Sequence, residues 1–494
     1  MIRRSIHYSL FLVFALLGTL LRSWKLGHYP AIYTDEATHL EIARQLTVGQ
    51  IQYFAVQDSW LLFARLPLFK YILAKLFWLF DAELIVLRSL TATCGVLTGI
   101  LLYAFLSDVE RDWKVPLLAF CLWNIFPQAV LYNRFGFSYN LLQPLIVLIL
   151  WGLYRYHDQQ SRRGLLLAVL GIAIGALSDI IMWSFIPIIV LVTFINNWRD
   201  GLWAFPLSLL PLSAWTLYQL ANHPQAFLFD ISYTLARTRG GTLQDQLNLL
   251  FHNYTVLIGN PWWLIAVIGW VLLRNKTVQL IVGMLLLPLI LVGRTVSLYS
   301  LSAYYLIPFL PLVVIGVTAF GVRAWGFMLH RFVRLVASGL MLGLIGLPLV
   351  YTLHSDWQGL VNESPTPIDN FLVDVDEARE AANYINDNVV SGSLVVVSAP
   401  VGWQIDTSIR ALEFQMAAVA DGRDAVHIPG NIPDSRWAYI ATFADADYLV
   451  VDSLWRNWGT IHIPQVAEIL SDLEEWERVY ASNHIEIYQN PHTR

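Results

Sequence analysis

The sequence predicts a polytopic α-helical membrane protein with a small α/β domain at its C-terminal end. Three observations carry this. Apolar segments recur through residues 7–353, at the roughly 20 residues that one bilayer crossing needs. Basic clusters gather at connections that fall on one side of the membrane. From residue 355 onward, charged and polar residues become frequent and only short apolar runs remain. Composition agrees: 56% of the 494 residues are hydrophobic and 14% are charged, with mean hydropathy +0.54, too apolar for a soluble protein. The net charge of -5 argues against a nucleic-acid partner. Cys94 and Cys121 both fall in apolar spans, so neither a disulfide nor a metal cluster is expected.

Residues 7–24 form the first span, and Arg3 and Arg4 hold its start in the cytoplasm. No small-residue cleavage site follows it. Arg22-Ser-Trp-Lys comes directly instead, so the segment reads as retained. Further spans fall near 85–106, 115–131, 138–154, 163–180, 182–197, 202–220, 255–273, 277–293, 299–320 and 333–353, for roughly eleven in all. The stretch 66–80 carries Lys70 and Lys75. As a helix it would reach roughly 22 Å, short of a hydrocarbon core of about 30 Å, so it reads as lying along the interface. Charge supports this. With 66–80 on the surface, Arg155/Arg162/Arg163, Arg274/Lys276 and Arg323/Arg331/Arg334 all join Arg3 and Arg4 in the cytoplasm. The loops 25–84, 132–137, 221–254 and 294–298 then lie outside, with everything after residue 354.

The expected division is a transmembrane domain at 1–354 and a soluble extracytoplasmic α/β domain at 355–494. Asn362-Glu-Ser-Pro-Thr-Pro reads as the linker. Asp376 to Asn388 reads as an amphipathic helix, with Ala378, Ala381, Ala382 and Ile385 on one face. Leu394-Val-Val-Val-Ser and Tyr448-Leu-Val-Val-Asp are typical of buried strands, and His484-Ile-Glu-Ile-Tyr alternates as another.

The residues that could carry chemistry stand at the outer ends of the spans. Asp35 and Glu36 lie side by side in Tyr33-Thr-Asp-Glu-Ala-Thr-His-Leu, just past the first span. Carboxylates beside lipid are costly and mark chemistry. The plainer reading, of equal weight, is that Thr34 caps a helix whose positive end favours acids. Arg65, Arg88, Arg134, Asp179 and Arg294 also fall outside or at that edge. The positive-inside rule does not account for outer arginines, and guanidinium groups suit bidentate binding of phosphate.

In order and spacing, several segments resemble the GT-C glycosyltransferases over about residues 7–320. They are Tyr33-Thr-Asp-Glu-Ala, Arg65 before Leu-Pro-Leu, Asp81-Ala-Glu-Leu-Ile-Val-Leu-Arg, Asn133-Arg-Phe-Gly and Tyr304-Tyr-Leu-Ile-Pro-Phe-Leu-Pro. The protein O-mannosyltransferases and the aminoarabinose transferases of lipid A are the most similar branches. The resemblance implies transfer of a sugar, hexosyl or pentosyl, from a polyprenyl-phosphate donor. Transfer would proceed with inversion to an extracytoplasmic lipid, glycan or protein. It implies a multi-pass plasma (inner) membrane enzyme of the cell envelope. By position Asp35 matches the family's catalytic aspartate, Glu36 its acidic neighbour, and Arg65 and Arg88 its donor-phosphate ligands, with Arg134 a further candidate. His39, Asp179, Arg294, Tyr304 and Tyr305 are candidate substrate contacts. Many relatives carry an acid in the second outer loop, where this chain has Tyr132-Asn133-Arg134. No cofactor is firmly implied: a divalent metal stays open, but it wants more than one hard oxygen ligand and the missing acid counts against it.

Asp35 would take the acceptor's proton, and Arg65, with Arg88 or Arg134, would neutralise the departing lipid phosphate. Two other readings compete. A lipid or solute transporter would place its site near the midplane in repeated halves, which this chain does not show. A catalytically silent envelope-assembly scaffold would have no need of the intact Asp35-Glu36 pair.

Overall fold

The structure is a computed structural model, and it describes residues 2–238, 242–293, 300–326 and 372–492, with scattered positions between 339 and 354. The chain separates into two compact units. One comprises residues 1–24, 65–69 and 89–358, and the other residues 25–64, 70–88 and 359–494. Most of the first outer loop therefore belongs to the same unit as the C-terminal residues.

The first unit is helical. The expected spans fall on Ile2–Ser23, Leu84–Val109, Leu142–Gln159, Arg162–Ala176, Ile186–Asn196, Trp198–Asn222 and Leu310–Gly326, or on broken helices. The 115–131 segment is Lys114–Ile125 followed by Pro127–Arg134, bent by 51°. Pro127 supplies the break, since proline cannot donate the helical hydrogen bond and its ring clashes with the preceding turn. The 255–273 segment is likewise bent, by 92°, between Leu243–Leu257 and Pro261–Val271. By length and apolar composition alone, three described helices could cross a membrane, Leu84–Val109, Lys276–Gly293 and Tyr304–Ala324, or up to five if each bent pair counts once. The 333–353 span and the 362–367 linker lie outside the described residues, apart from isolated positions in the former.

Small residues let these helices approach. A Cβ on Gly269 would sit 1.8 Å from the Gly316 carbonyl oxygen, so Pro261–Val271 and Leu310–Gly326 meet backbone to backbone. Trp270 Nε1 donates to the Leu312 carbonyl at 2.7 Å across the same contact.

In the second unit, the strands are β1 (Ile32–Tyr33), β2 (Gln52–Tyr53), β3 (Val56–Gln57), β4 (Leu372–Val373), β5 (Leu394–Val397), β6 (Arg410–Glu413), β7 (Tyr448–Val451), β8 (Glu477–Ala481) and β9 (Glu486–Gln489). The main sheet runs β6-β5-β7-β9-β8. Its β6-β5-β7 half is parallel, and β9 and β8 join antiparallel. All four residues of β5 are buried, as a continuous apolar run in a parallel sheet requires. The helix Val375–Asn388 buries Ala378, Ala381, Ala382 and Ile385, the expected face. Asp374 caps it by accepting from the Asp376 and Glu377 amides.

The first outer loop is built into this α/β unit. β1 pairs antiparallel with β4, Ile32 opposite Val373. The β2–β3 hairpin takes an isolated bridge from Val56 to Trp437, and the Ala438 amide donates to the Ala55 carbonyl at 2.8 Å. Gly402 lies against Phe54, whose ring a Cβ at that position would meet at 2.7 Å. Between the hairpin and the second span, Leu68–Phe80 is a 13-residue helix, too short to cross a bilayer. Phe69, Leu73, Ala74 and Phe77 are buried and Tyr71, Lys75 and Trp78 exposed, the two-faced pattern of an interfacial helix.

Candidate active site

Asp35 and Glu36 open the helix Thr34–Thr47. Successive helical residues point about 100° apart, so the two acids have different surroundings. Glu36 is fully buried. Its Oε2 accepts from the Tyr33 amide at 3.0 Å, closing a capping box. Both its oxygens also accept from Arg88, from Nε and Nη2, each at 2.9 Å. Arg88 is also fully buried. It donates from Nη1 to the Leu26 and Pro30 carbonyls and from Nη2 to Ala31. A guanidinium has five N–H groups, and these contacts use all five. Expected to bind donor phosphate, Arg88 is here engaged by Glu36 and by the chain that leads into the helix.

Asp35 is different. It is partly exposed, and no described residue hydrogen-bonds or ion-pairs with its carboxylate. The helix behind it is fixed to the α/β unit. Glu41, one of its buried residues, accepts from Arg44 Nη2 at 2.7 Å and Gln45 Nε2 at 2.9 Å. Arg44 Nη1 reaches the Ile405 carbonyl at 2.7 Å. Burial pushes the Glu41 carboxyl up, against the opposing pull of Arg44. His39, a candidate substrate contact, is 5% exposed on the same helix.

The remaining candidates belong to the helical unit. Arg65 is exposed. Arg134 is 1% exposed and donates to the Leu21 and Trp24 carbonyls, both at 2.7 Å, where it satisfies the C-terminal end of the first helix. Asp179 accepts from the Ile181 amide at 2.8 Å, capping the short helix that follows. Tyr304 stacks on Phe137 at 4.8 Å and Tyr139 at 5.4 Å, and lies 4.5 Å from Tyr305. Arg294 lies outside the described residues. Among the described residues, no three His, Cys, Asp or Glu side chains gather where one metal ion could be held.

Two groupings escaped the sequence reading. Arg22, fully buried, donates to Asn133 Oδ1 and to the Gly18, Asn124 and Trp123 carbonyls. Asn133 passes the network on to Asn140 and Gln143. In the α/β unit, Tyr53 brings its hydroxyl to 3.4 Å from Thr38 Oγ1, and Glu413 ends β6 with its carboxyl buried. Neither Tyr53 nor Glu413 sits in a motif, so nothing local in the sequence marks either one.

No protein-family model matches the chain, and no curated protein matches it in sequence. Solved structures do. ArnT from Cupriavidus metallidurans bound to undecaprenyl phosphate aligns at TM-score 0.69 with 14% identity over 98% of both chains. The same protein in its apo state aligns at 0.68 with 12% identity and equal coverage. The arabinofuranosyltransferase AftD from Mycobacteria aligns at 0.50 with 14% identity, over 98% of this chain and 40% of AftD. The chain has the GT-C fold, in the form that ArnT represents.

Proposed function

We propose that the protein is an integral-membrane inverting glycosyltransferase, moving a sugar from a polyprenyl-phosphate donor to an extracytoplasmic acceptor. The observation that carries this is the contrast between Asp35 and Glu36. The buried acid is committed to Arg88, and the partly exposed one, at a helix N-terminus, has no hydrogen-bond partner among the described residues. A carboxylate so placed can serve as a proton acceptor. The ArnT structure carries undecaprenyl phosphate, which supports a donor of that class here.

In the reaction, Asp35 takes the proton from an acceptor hydroxyl or amine as that atom bonds to the anomeric carbon. The bond from that carbon to the phosphate oxygen breaks, and the polyprenyl phosphate leaves with the electron pair. Arg65, the exposed member of the three expected phosphate ligands, neutralises the growing charge. Because the leaving group is a phosphate, no general acid is required. The enzyme would be a multi-pass protein of the plasma (inner) membrane with residues 372–492 extracytoplasmic, by the positive-inside rule. A cysteine replacing Asn457 should then react with an impermeant thiol reagent in intact cells. Labelling only after lysis would overturn this orientation.

The test of function is radiolabelled sugar transfer in membranes, across a panel of polyprenyl-phosphate sugars. Transfer by the parent protein and its loss in Asp35→Asn is the expected result. A parent that transfers none of them sinks the reading.

A further inference from the structure

The buried polar network of the helical unit ends beneath partly exposed aromatic rings. Arg22, Asn133, Asn140 and Gln143 are each 0% exposed. A guanidinium can only donate, so Asn133 turns Oδ1 to Arg22 Nε, at 2.9 Å. Its Nδ2 is then the donor to Asn140 Oδ1 at 2.7 Å and to Gln143 Oε1 at 2.9 Å. Both partners are thereby left with amide donors to place. Asn140 Nδ2 reaches the Tyr132 and Phe135 carbonyls at 2.9 and 3.1 Å, and Gln143 Nε2 reaches the Ile307 carbonyl at 3.3 Å. The direction of every amide thus follows from Arg22. A Cβ on Gly95 would sit 2.1 Å from Asn133 Oδ1, so only glycine there leaves room for that amide.

The carbonyls so held belong to two segments that carry aromatic rings. Phe137 and Tyr139 follow Phe135, and Tyr304 and Tyr305 precede Ile307. The rings join across the segments. Phe135 stacks on Phe137 at 5.2 Å, Phe137 on Tyr304 at 4.8 Å, and Tyr304 on Tyr139 at 5.4 Å. Tyr305 meets Tyr139 edge-on at 5.3 Å. Phe135, Phe137 and Tyr304 are buried, whereas Tyr139 and Tyr305 are partly exposed.

We propose that Tyr139 and Tyr305 form a platform for the sugar ring of the donor, and that Asn133, Asn140 and Gln143 are positioning residues that fix it. This rests on the protein being a transferase of lipid-linked sugar. An isoprenoid tail gains little from such rings, because lipid is already as apolar as a leucine side chain. A sugar is different: its ring faces carry C–H groups and its rim carries hydroxyls. Tyrosine matches that division, with an apolar face and a hydroxyl at its wet end.

The experiment has a binding arm and a transfer arm, both on the full-length protein in detergent. Binding is read as the rise in melting temperature on adding undecaprenyl phosphate, alone or carrying each sugar of the transfer panel. In the parent, one sugar-bearing lipid should raise melting more than the bare lipid does. Tyr139→Leu and Tyr305→Leu should remove that difference and keep the response to the bare lipid. In transfer they should raise the donor KM by about 2- to 10-fold, the scale of one aromatic contact. Their kcat should change little, as loss of uniform binding requires. Tyr139→Phe keeps the ring and should stay near the parent KM.

The positioning role is read from Gln143→Met, which removes the amide at similar length, and from Gln143→Asn, one methylene too short to reach the Ile307 carbonyl. Each should raise the donor KM, and combining either with Tyr139→Leu should add little further. A parent with no extra response to any sugar-bearing lipid, or Tyr139→Leu with that response intact, would overturn the platform. Gln143 variants that do not fold, or that fold and keep the parent KM, would overturn the positioning role. A parent that binds a sugar-bearing lipid more strongly than the bare one but transfers no sugar defeats the transferase reading and leaves the platform standing.

Discussion

Both units bury charged side chains, and the arginines of one can be compared with the carboxylates of the other. In the helical unit, Arg22 and Arg134 lie within the protein with their guanidinium groups on carbonyls near helix ends. Those carbonyls have no intrahelical partner or share one, so a five-donor cation suits them. In the α/β unit, Glu413 and Asp452 are buried at strand ends and must find N–H or O–H donors. Asp452 finds three, the Leu454 and Trp455 amides and the Ser398 hydroxyl, and burial raises it to about 6. Glu413 has the Gln415 amide group as its side-chain donor and is raised to about 8. Burial is the largest cause of both shifts, and backbone amides oppose it at both carboxylates. A buried charge in either unit is therefore held by the hydrogen-bond partners the fold supplies.

A contrast in hydrogen-bond partners operates within one turn of helix at Asp35 and Glu36, and the largest expected effect breaks it there. Asp35→Asn should lower sugar transfer by about 100- to 10,000-fold, the usual cost of losing a general base. Its melting temperature should stay near the parent's. Glu36→Gln should reverse the pattern, lowering stability first, because an amide cannot accept two charge-assisted bonds from Arg88. Equal transfer by parent and a folded Asp35→Asn protein would end the catalytic assignment.

Much of this was legible in the sequence. The apolar segments announced the helices, since length and hydropathy are local properties. Asp35 stands out in the sequence because two acids beside a membrane span are conspicuous, and its proposed role rests on the tests above. The helix over 376–388 and the runs at 394 and 448 were readable from periodicity for the same reason. What could not be read was destination. Arg88 and Glu36 are 52 residues apart and Arg134 and Leu21 are 113 apart, and nothing local says that these arginines meet those protein groups. The first outer loop carries no mark of its pairing with residues beyond 371, because β1 and β4 are two residues each.

Arg88 and Arg65 extend the comparison from carboxylates to cations. Arg88→Ala should destabilise the protein by about 3–5 kcal/mol, since it strands Glu36 as a buried charge. Any loss of transfer would follow from unfolding. Arg65→Ala, at an exposed position, should change stability by less than about 0.5 kcal/mol while weakening use of the donor. Arg65→Lys should keep part of the activity, because charge survives and the bidentate fork is lost. Detergent unfolding paired with transfer kinetics separates the two residues. If Arg65→Ala transfers sugar at the parent rate, Arg65 is not the phosphate ligand.

Asp179 offers the smallest effect and the finest distinction. It was singled out as a candidate substrate contact, and the structure shows its Oδ1 accepting from the Ile181 amide as an N-cap. A cap needs a side-chain acceptor rather than a charge, so Asn should serve nearly as well as Asp, whereas Ala should cost about 1 kcal/mol. A carboxylate binding a sugar or a cationic acceptor group would not tolerate that exchange, because the amide loses the charge and half of its acceptor capacity. Asp179→Asn with parent-like melting and transfer, beside Asp179→Ala with lowered melting, would leave Asp179 as a cap. Asp179→Asn with parent-like melting and a raised KM would make it a substrate contact, because its capping bond would be intact while its binding had weakened.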